Sequence, residues 1–159
     1  MAGRLRSRHQ HADESPGLLL WQVTSRWQGT LRAALKPFGL THSQFVLLAS
    51  LTWLNADGPV TQQDLSDHVV MDRMTTSQVL RTLESRGLVE RAPHPSDGRA
   101  RALAVTDRGA DLAQRANAVV ESCDAAFFTA LGSGVPGFAR SLRALRDASV
   151  QDDRDDGPD

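Results

Sequence analysis

Residues 61–91, "TQQDLSDHVVMDRMTTSQVLRTLESRGLVER", followed by residues 93–109, "PHPSDGRARALAVTDRG", decide the fold. Thr61 with Asp64 three residues later has the pattern of a helix start, where a short side chain accepts from the first free backbone donors. A short helix through Leu65 to Val69 follows. Asp72 then caps another helix, over about residues 73–86, whose Thr76, Val79, Leu80 and Leu83 make a narrow inward stripe, with Gly87 a good C-cap. Its outward face presents Arg73, Thr75, Ser77, Gln78, Arg81 and Thr82. Residues 88–92 and 99–105 read as two strands joined by Pro-His-Pro-Ser-Asp-Gly, a hairpin with a longer loop. Strand alternation places Arg99, Arg101, Leu103 and Val105 on one face, so the hairpin's base packs on the core while its tip presents guanidiniums.

Working outward, residues 16–36 carry Leu20, Val23, Trp27, Leu31 and Leu35 at the spacing of one helical face, and Pro37 and Gly39 end that helix. Thr41 with Gln44 has the capping-box pattern, opening a second helix to about Trp53 before "NADGP" breaks the chain. After Thr106, a plausible N-cap, Leu112, Ala116, Val119, Cys123, Phe127 and Leu131 again follow helical spacing, closed by "GSG" at residues 132–134. A last amphipathic helix has Val135, Phe138, Leu142 and Leu145 on its apolar face, and an acidic tail follows. The expected fold is mainly α with a small β-hairpin. Residues 1–15 are expected to be a disordered arm, 16–148 a single domain and 149–159 a disordered acidic tail.

At 159 residues and 40% hydrophobic content the chain has the material for one real core. Its longest apolar run is far shorter than the roughly 20 residues of a membrane span. The first residues, "MAGRLRSRHQHADESPG", contain no apolar stretch of a secretion signal. Both points place the protein in the cytoplasm, with no membrane partner. The lone Cys123 excludes an intrachain disulfide. The net charge of −1 conceals an asymmetry: beyond Arg146, Asp147, Asp152, Asp153, Asp155, Asp156 and Asp159 face only Arg154. The body is therefore mildly basic, which permits a polyanionic partner.

Two short helices, the second polar and capped, followed at once by a hairpin, have the organisation of a winged helix-turn-helix, here over about residues 41–106. In such a unit the second helix enters the DNA major groove by its N-terminal residues. The chain resembles the MarR family of bacterial transcriptional regulators. The resemblance rests on residues 61–91 and on "SDGRARALAVTDRG", in which Asp97-x-Arg99, the Leu103-x-Val105-Thr106 close and the Asp107-Arg108-Gly109 entry to the next helix fit the family's wing. It implies a homodimer interlocked through helices at about 16–36 and 107–148. It also implies a repressor that binds a pseudo-palindromic operator in double-stranded DNA and is released by a small aromatic or phenolic effector.

Arg73, Thr75, Ser77, Gln78 and Arg81 are then the candidate DNA contacts of the helix, and Asp97, Arg99 and Arg101 those of the wing. A wing-tip arginine fits the narrow, electronegative minor groove, while Asp97 closes the turn or orients an arginine. The family binds aromatic effectors between its dimerisation helices and DNA-binding unit, which nominates Trp21, Trp27, Phe45 and Trp53, although an aromatic is more often core than ligand wall. The alternative is a winged helix serving protein–protein contact without sequence-specific DNA binding.

Other chemistries find little support. His9, His11, His42, His68 and His94 lack cysteine partners and clustered carboxylates at ligand spacing, so no metal and no cofactor is expected. Cys123 lies on an apolar stripe and reads as a small buried residue rather than a redox sensor. No glycine-rich phosphate loop, nucleophile elbow or acid–base pair points to an enzyme. Arg4, Arg6 and Arg8 of the arm read as solvated.

Overall fold

Ser15 sets the start of the first helix: its hydroxyl accepts from the Leu18 N–H at 3.4 Å, and Pro16 takes the first helical position, where its missing donor costs nothing. The structure, a computed structural model, describes residues 6–155. Helix α1 (Pro16–Leu35) leads through a 3-10 turn at Lys36–Phe38 and Gly39, at φ 63°, to α2 (His42–Leu54). The Thr41–Gln44 capping box opens α2 as expected, with reciprocal bonds of 3.2 and 3.1 Å. Next come β1 (Val60–Thr61), α3 (Gln62–Val69), α4 (Arg73–Ser85), β2 (Val89–Pro93), β3 (Arg101–Val105), α5 (Asp107–Phe128) and α6 (Val135–Asp155). Residues 6–15, expected as an arm, contain a 3-10 turn at Ala12–Glu14 in which Glu14 Oε2 accepts from the Gln10 and His11 N–H groups.

The sheet is antiparallel with strand order β1-β3-β2. Its third member was not foreseen, since two residues are too short to show alternation. Val60 pairs with Leu103 and Thr61 with Ala102, so the chain entering α3 is tied to the hairpin. Asn55, just past α2, tightens the same junction: its Nδ2 donates to the Leu103 carbonyl at 3.1 Å and its Oδ1 accepts from the Val105 N–H at 2.9 Å.

The described residues divide into two compact units, the first ending at Cys123 and the second beginning at Asp124. The first has a leucine core in which Leu31, Leu35, Leu47, Leu48, Leu51, Leu65, Leu80, Leu83, Leu88 and Leu103 are fully buried, and truncating any one to alanine costs about 2–5 kcal/mol. The α1 stripe splits in two: Leu31 and Leu35 enter this core and Trp27 packs against it, whereas Leu20 and Val23 stay exposed. On α5 the buried face is Gly109, Ala113, Ala116 and Val120, offset from the expected stripe, with Val119 exposed and Cys123 half-buried rather than buried. Close approach explains the offset, because small residues face the core. At Gly109 a Cβ would collide with the Leu88 carbonyl.

In the second unit α5 ends at Phe128, ahead of the expected Leu131, and a 3-10 segment, Thr129–Gly134, follows with Gly132 at φ 51°. The Phe128 ring meets Phe127 edge-on at 5.3 Å and Phe138 at 5.9 Å. Helix α6 continues to Asp155, so residues 149–155 are helical where an acidic tail was expected; residues 156–159 lie outside the described part. The most apolar part of Asp107–Ala148 reaches a mean hydropathy of 1.2, with the apolarity spread among alanines and interrupted by acids, and Gly132 breaks the helical run.

Candidate nucleic-acid interface

The turn between α3 and α4 fixes how the second helix is presented. Val70 stands in the left-handed region at φ 54°, with its N–H on the Asp67 carbonyl and the Met71 N–H reaching back to the Ser66 carbonyl at 3.1 Å. This is a Schellman closure, usually made by glycine, and a β-branched residue there carries a steric cost of about 1–2 kcal/mol. Two buried hydroxyls lock the turn: Ser66 Oγ donates to the Met71 carbonyl at 2.8 Å and Thr76 Oγ1 to the Asp72 carbonyl at 2.9 Å.

Asp72 caps α4 as the sequence predicts, accepting the Thr75 N–H at 2.8 Å. Hydrogen bonds from Thr75 hold its carboxyl below the ordinary 3.8, so it is fully ionised at neutral pH. Of the predicted reading residues, Arg73, Gln78 and Arg81 are exposed, while Thr75 and Ser77 are half-buried along the flank of the inward stripe Thr76, Leu80 and Leu83. Two apolar side chains that the sequence reading passed over stand out beside them: Val70 is 74% exposed and Met74 73%.

The wing forms where expected but ends sooner. Val89 pairs with Val105 and Pro93 with Arg101, so Arg99 lies in the connecting turn, outside the strand that was expected to begin with it. Its direction is therefore set by the turn rather than by alternation with Arg101, Leu103 and Val105. Asp97 does the closing, its Oδ1 accepting the Arg99 N–H at 3.0 Å, and further bonds run from the Ala100 N–H to the Asp97 carbonyl and from the His94 N–H to the Ala100 carbonyl. Arg99 and Arg101 are both exposed, while Leu103 below them is buried.

Arg91 anchors this hairpin to the helices, a role that sequence reading missed. Its Nε donates to Glu84 Oε1 of α4 at 2.8 Å and its Nη1 to Gln62 Oε1 of α3 at 3.1 Å, with both ends of the ion pair about three-quarters covered. One guanidinium thus joins wing, reading helix and supporting helix. At the start of α3, Asp64 closes the Thr61 cap; hydrogen bonds from Thr61, foremost its hydroxyl, lower its carboxyl, and His94 of the wing loop adds a smaller lowering.

The four candidate effector aromatics do not share one cavity. A cleft of about 420 Å³ is lined by Ala49, Thr52, Trp53, Ala56 and Asp57 together with Ala113, Gln114 and Asn117 of α5, and of the four only Trp53 lines it. Phe45 is buried in the leucine core, Trp27 meets the His42 ring edge-on at 5.2 Å, and Trp21 is 72% exposed. Core packing claims Phe45 because α2 turns it onto the same side as Leu48. Among the described residues no group of three or more His, Cys, Asp or Glu is placed to hold a metal ion.

The sequence profile of the MarR family matches residues 40–100, from the approach to α2 through the wing loop. YdcH of Bacillus subtilis (strain 168), an HTH-type transcriptional regulator, is 42% identical over 125 residues, 78% of this chain and 85% of its own length. The HTH-type transcriptional repressor Rv2887 of Mycobacterium tuberculosis (strain ATCC 25618 / H37Rv) is 38% identical over 115 residues, 72% of this chain and 81% of its own. The crystal structure of Rv2887 in complex with DNA aligns at TM-score 0.62 and 33% identity over 82% of this chain and 97% of that one. Its complex with salicylic acid gives 0.65 and 36% over 85% and 99%. CouR from Rhodococcus jostii RHA1, bound to p-coumaroyl-CoA, aligns at TM-score 0.77 and 28% identity over 86% of this chain and 95% of its own. With a capped reading helix, a three-stranded wing and these likenesses together, the chain belongs to the MarR family of winged helix-turn-helix, DNA-binding transcriptional regulators.

Proposed function

We propose that this protein is a cytoplasmic, homodimeric repressor that reads a pseudo-palindromic operator and leaves it when a small aromatic or phenolic molecule binds. It works by binding and carries out no catalysis. The observation that carries this reading is the pairing of the exposed Arg73, Gln78 and Arg81 on α4 with the exposed Arg99 and Arg101 on a wing anchored to the same helix. Gln78 offers both a donor and an acceptor to a base edge in the major groove, with Thr75 and Ser77 alongside, while Arg73 and Arg81 meet phosphates or guanine. Arg99 enters the minor groove from the turn that Asp97 holds, and Arg101 follows the backbone.

Repression is supported by the name of Rv2887 and by its complex with DNA. Effector release is supported by salicylic acid and p-coumaroyl-CoA on two relatives, and the cleft beside Trp53 is the place assigned to it here. Dimerisation is supported by Leu18, Leu19, Leu20, Trp21 and Val23, a run of exposed apolar residues on α1 too large to leave in water.

The test is selection of bound fragments from the source genome by the purified chain, followed by titration of the selected fragment against competitor DNA. Binding of the fragment at least 10³-fold tighter than random DNA is expected. Equal affinity for both would instead favour the protein–protein module.

A further inference from the structure

Val70 and Met74 flank the Asp72 cap, two residues to either side, and both leave nearly three-quarters of their surface in water. The leucine core gains nothing from either. Val70 adopts a left-handed conformation that glycine would take without steric cost, so the isopropyl group strains the turn while adding no burial. Met74 occupies the second position of α4, between Arg73 and Thr75, in the part of a reading helix that reaches base edges. The major-groove surface of DNA has one protruding apolar group, the C5-methyl of thymine, and apolar side chains are what recognise it.

We propose that Val70 and Met74 read thymine methyl groups, giving the interface an apolar specificity element beside the polar one centred on Gln78. The inference rests on the assignment of α4 as the reading helix. Met74 suits the task because its unbranched thioether adapts to a small apolar target. Val70 suits it differently: the rigid turn holds its two methyls in place at no further entropic cost on binding.

Replacing thymines of the selected operator one at a time by deoxyuridine removes the methyl and leaves every hydrogen-bonding edge intact. The unaltered protein should lose about three- to fivefold in affinity at one or more positions in each half-site, the scale of one buried methyl. Met74→Ala should bind thymine and deoxyuridine operators equally at its position. Val70→Gly should do the same at another position while its melting temperature holds or rises. Undiminished binding at every deoxyuridine position, with specificity over random DNA retained, would overturn the methyl contacts and leave DNA reading intact. Absence of any preference over random DNA would instead overturn the assignment of α4. If Met74→Ala weakens both DNAs alike, or Val70→Gly lowers the melting temperature, that side chain supports the fold and its reading role is wrong.

Discussion

Asp72 is a negative charge on the face we propose meets DNA, and its use is local, because its carboxylate engages one of the N-terminal donors of α4 that would otherwise be free for a phosphate. At α3 the Thr61 hydroxyl accepts the Asp64 N–H, and the Asp64 carboxylate accepts in return from the Thr61 N–H. Both carboxyls are held below 3.8, so their stabilisation is complete above that value and is lost as pH falls through the lowered one. Asp72→Asn, which retains a good capping side chain, should therefore keep the melting temperature at pH 7 and lose less of it below about pH 4 than the parent does; melts taken from pH 7 to pH 2 that run parallel would contradict this. Gln78→Ala should lower specific binding by about 1–3 kcal/mol and relax preference at one operator position. Arg99→Ala should weaken many sequences together and reduce the salt slope by roughly one. Asp97→Ala should reproduce part of that loss if the turn positions Arg99, whereas tighter binding would show that its charge merely repels phosphate. A titration of the three variants on operator and random DNA across a salt series separates these outcomes, and an unchanged Arg99→Ala would reduce the wing to ordinary surface. Caps such as Thr61–Asp64 and Asp72–Thr75 were legible in the sequence because donor and acceptor lie three residues apart. Val70 was not, since valine is a poor signal for a left-handed turn that glycine usually fills.

Helix α4 and the wing act together only if their angle is fixed, and Arg91, bonded to Glu84 of α4 and Gln62 of α3, is one side chain that ties them. Arg91→Ala should loosen the hairpin from Glu84 and Gln62, weakening operator and random DNA in parallel, with a loss of stability of about 1–2 kcal/mol for the partly covered pair. Chemical denaturation together with the same titration measures both effects; a loss confined to one base position would mean that Arg91 itself contacts DNA. The helices were readable because their apolar spacing and caps are local signals. The Arg91 contacts were not, since they join residues 7 and 29 positions apart. Strand β1 escaped notice for its two-residue length, and Arg99 was assigned to a strand because the Arg-Ala-Arg-Ala alternation continues into the turn. On α5 the expected stripe was right at Ala116 but otherwise favoured larger residues, whereas close packing also selected Gly109 and Ala113.

For the whole molecule, the division of the α1 stripe says most about assembly. Leu31 and Leu35 complete the core of the first unit, while Leu18, Leu19, Leu20, Trp21 and Val23 stay exposed, the surface we propose a second copy covers. Sedimentation should show a dimer at micromolar concentration, and Trp21→Asp should shift it toward monomer with a matching loss of operator affinity; a monomeric parent would contradict the dimer. The winged helix was visible in the sequence because the two helices and the hairpin follow one another directly. Which aromatics line a cleft was not, since aromatic residues mark core and pocket alike: Phe45 went to the core and only Trp53 of the four reached the cleft. Hydroxyl-radical footprinting of the protein on its selected fragment shows whether two copies of α4 and its wing read one DNA face. Two symmetric protected half-sites about 34–36 Å apart are expected, with the outer minor-groove protection lost in Arg99→Ala. A single protected patch, or uniform protection along the fragment, would contradict that reading.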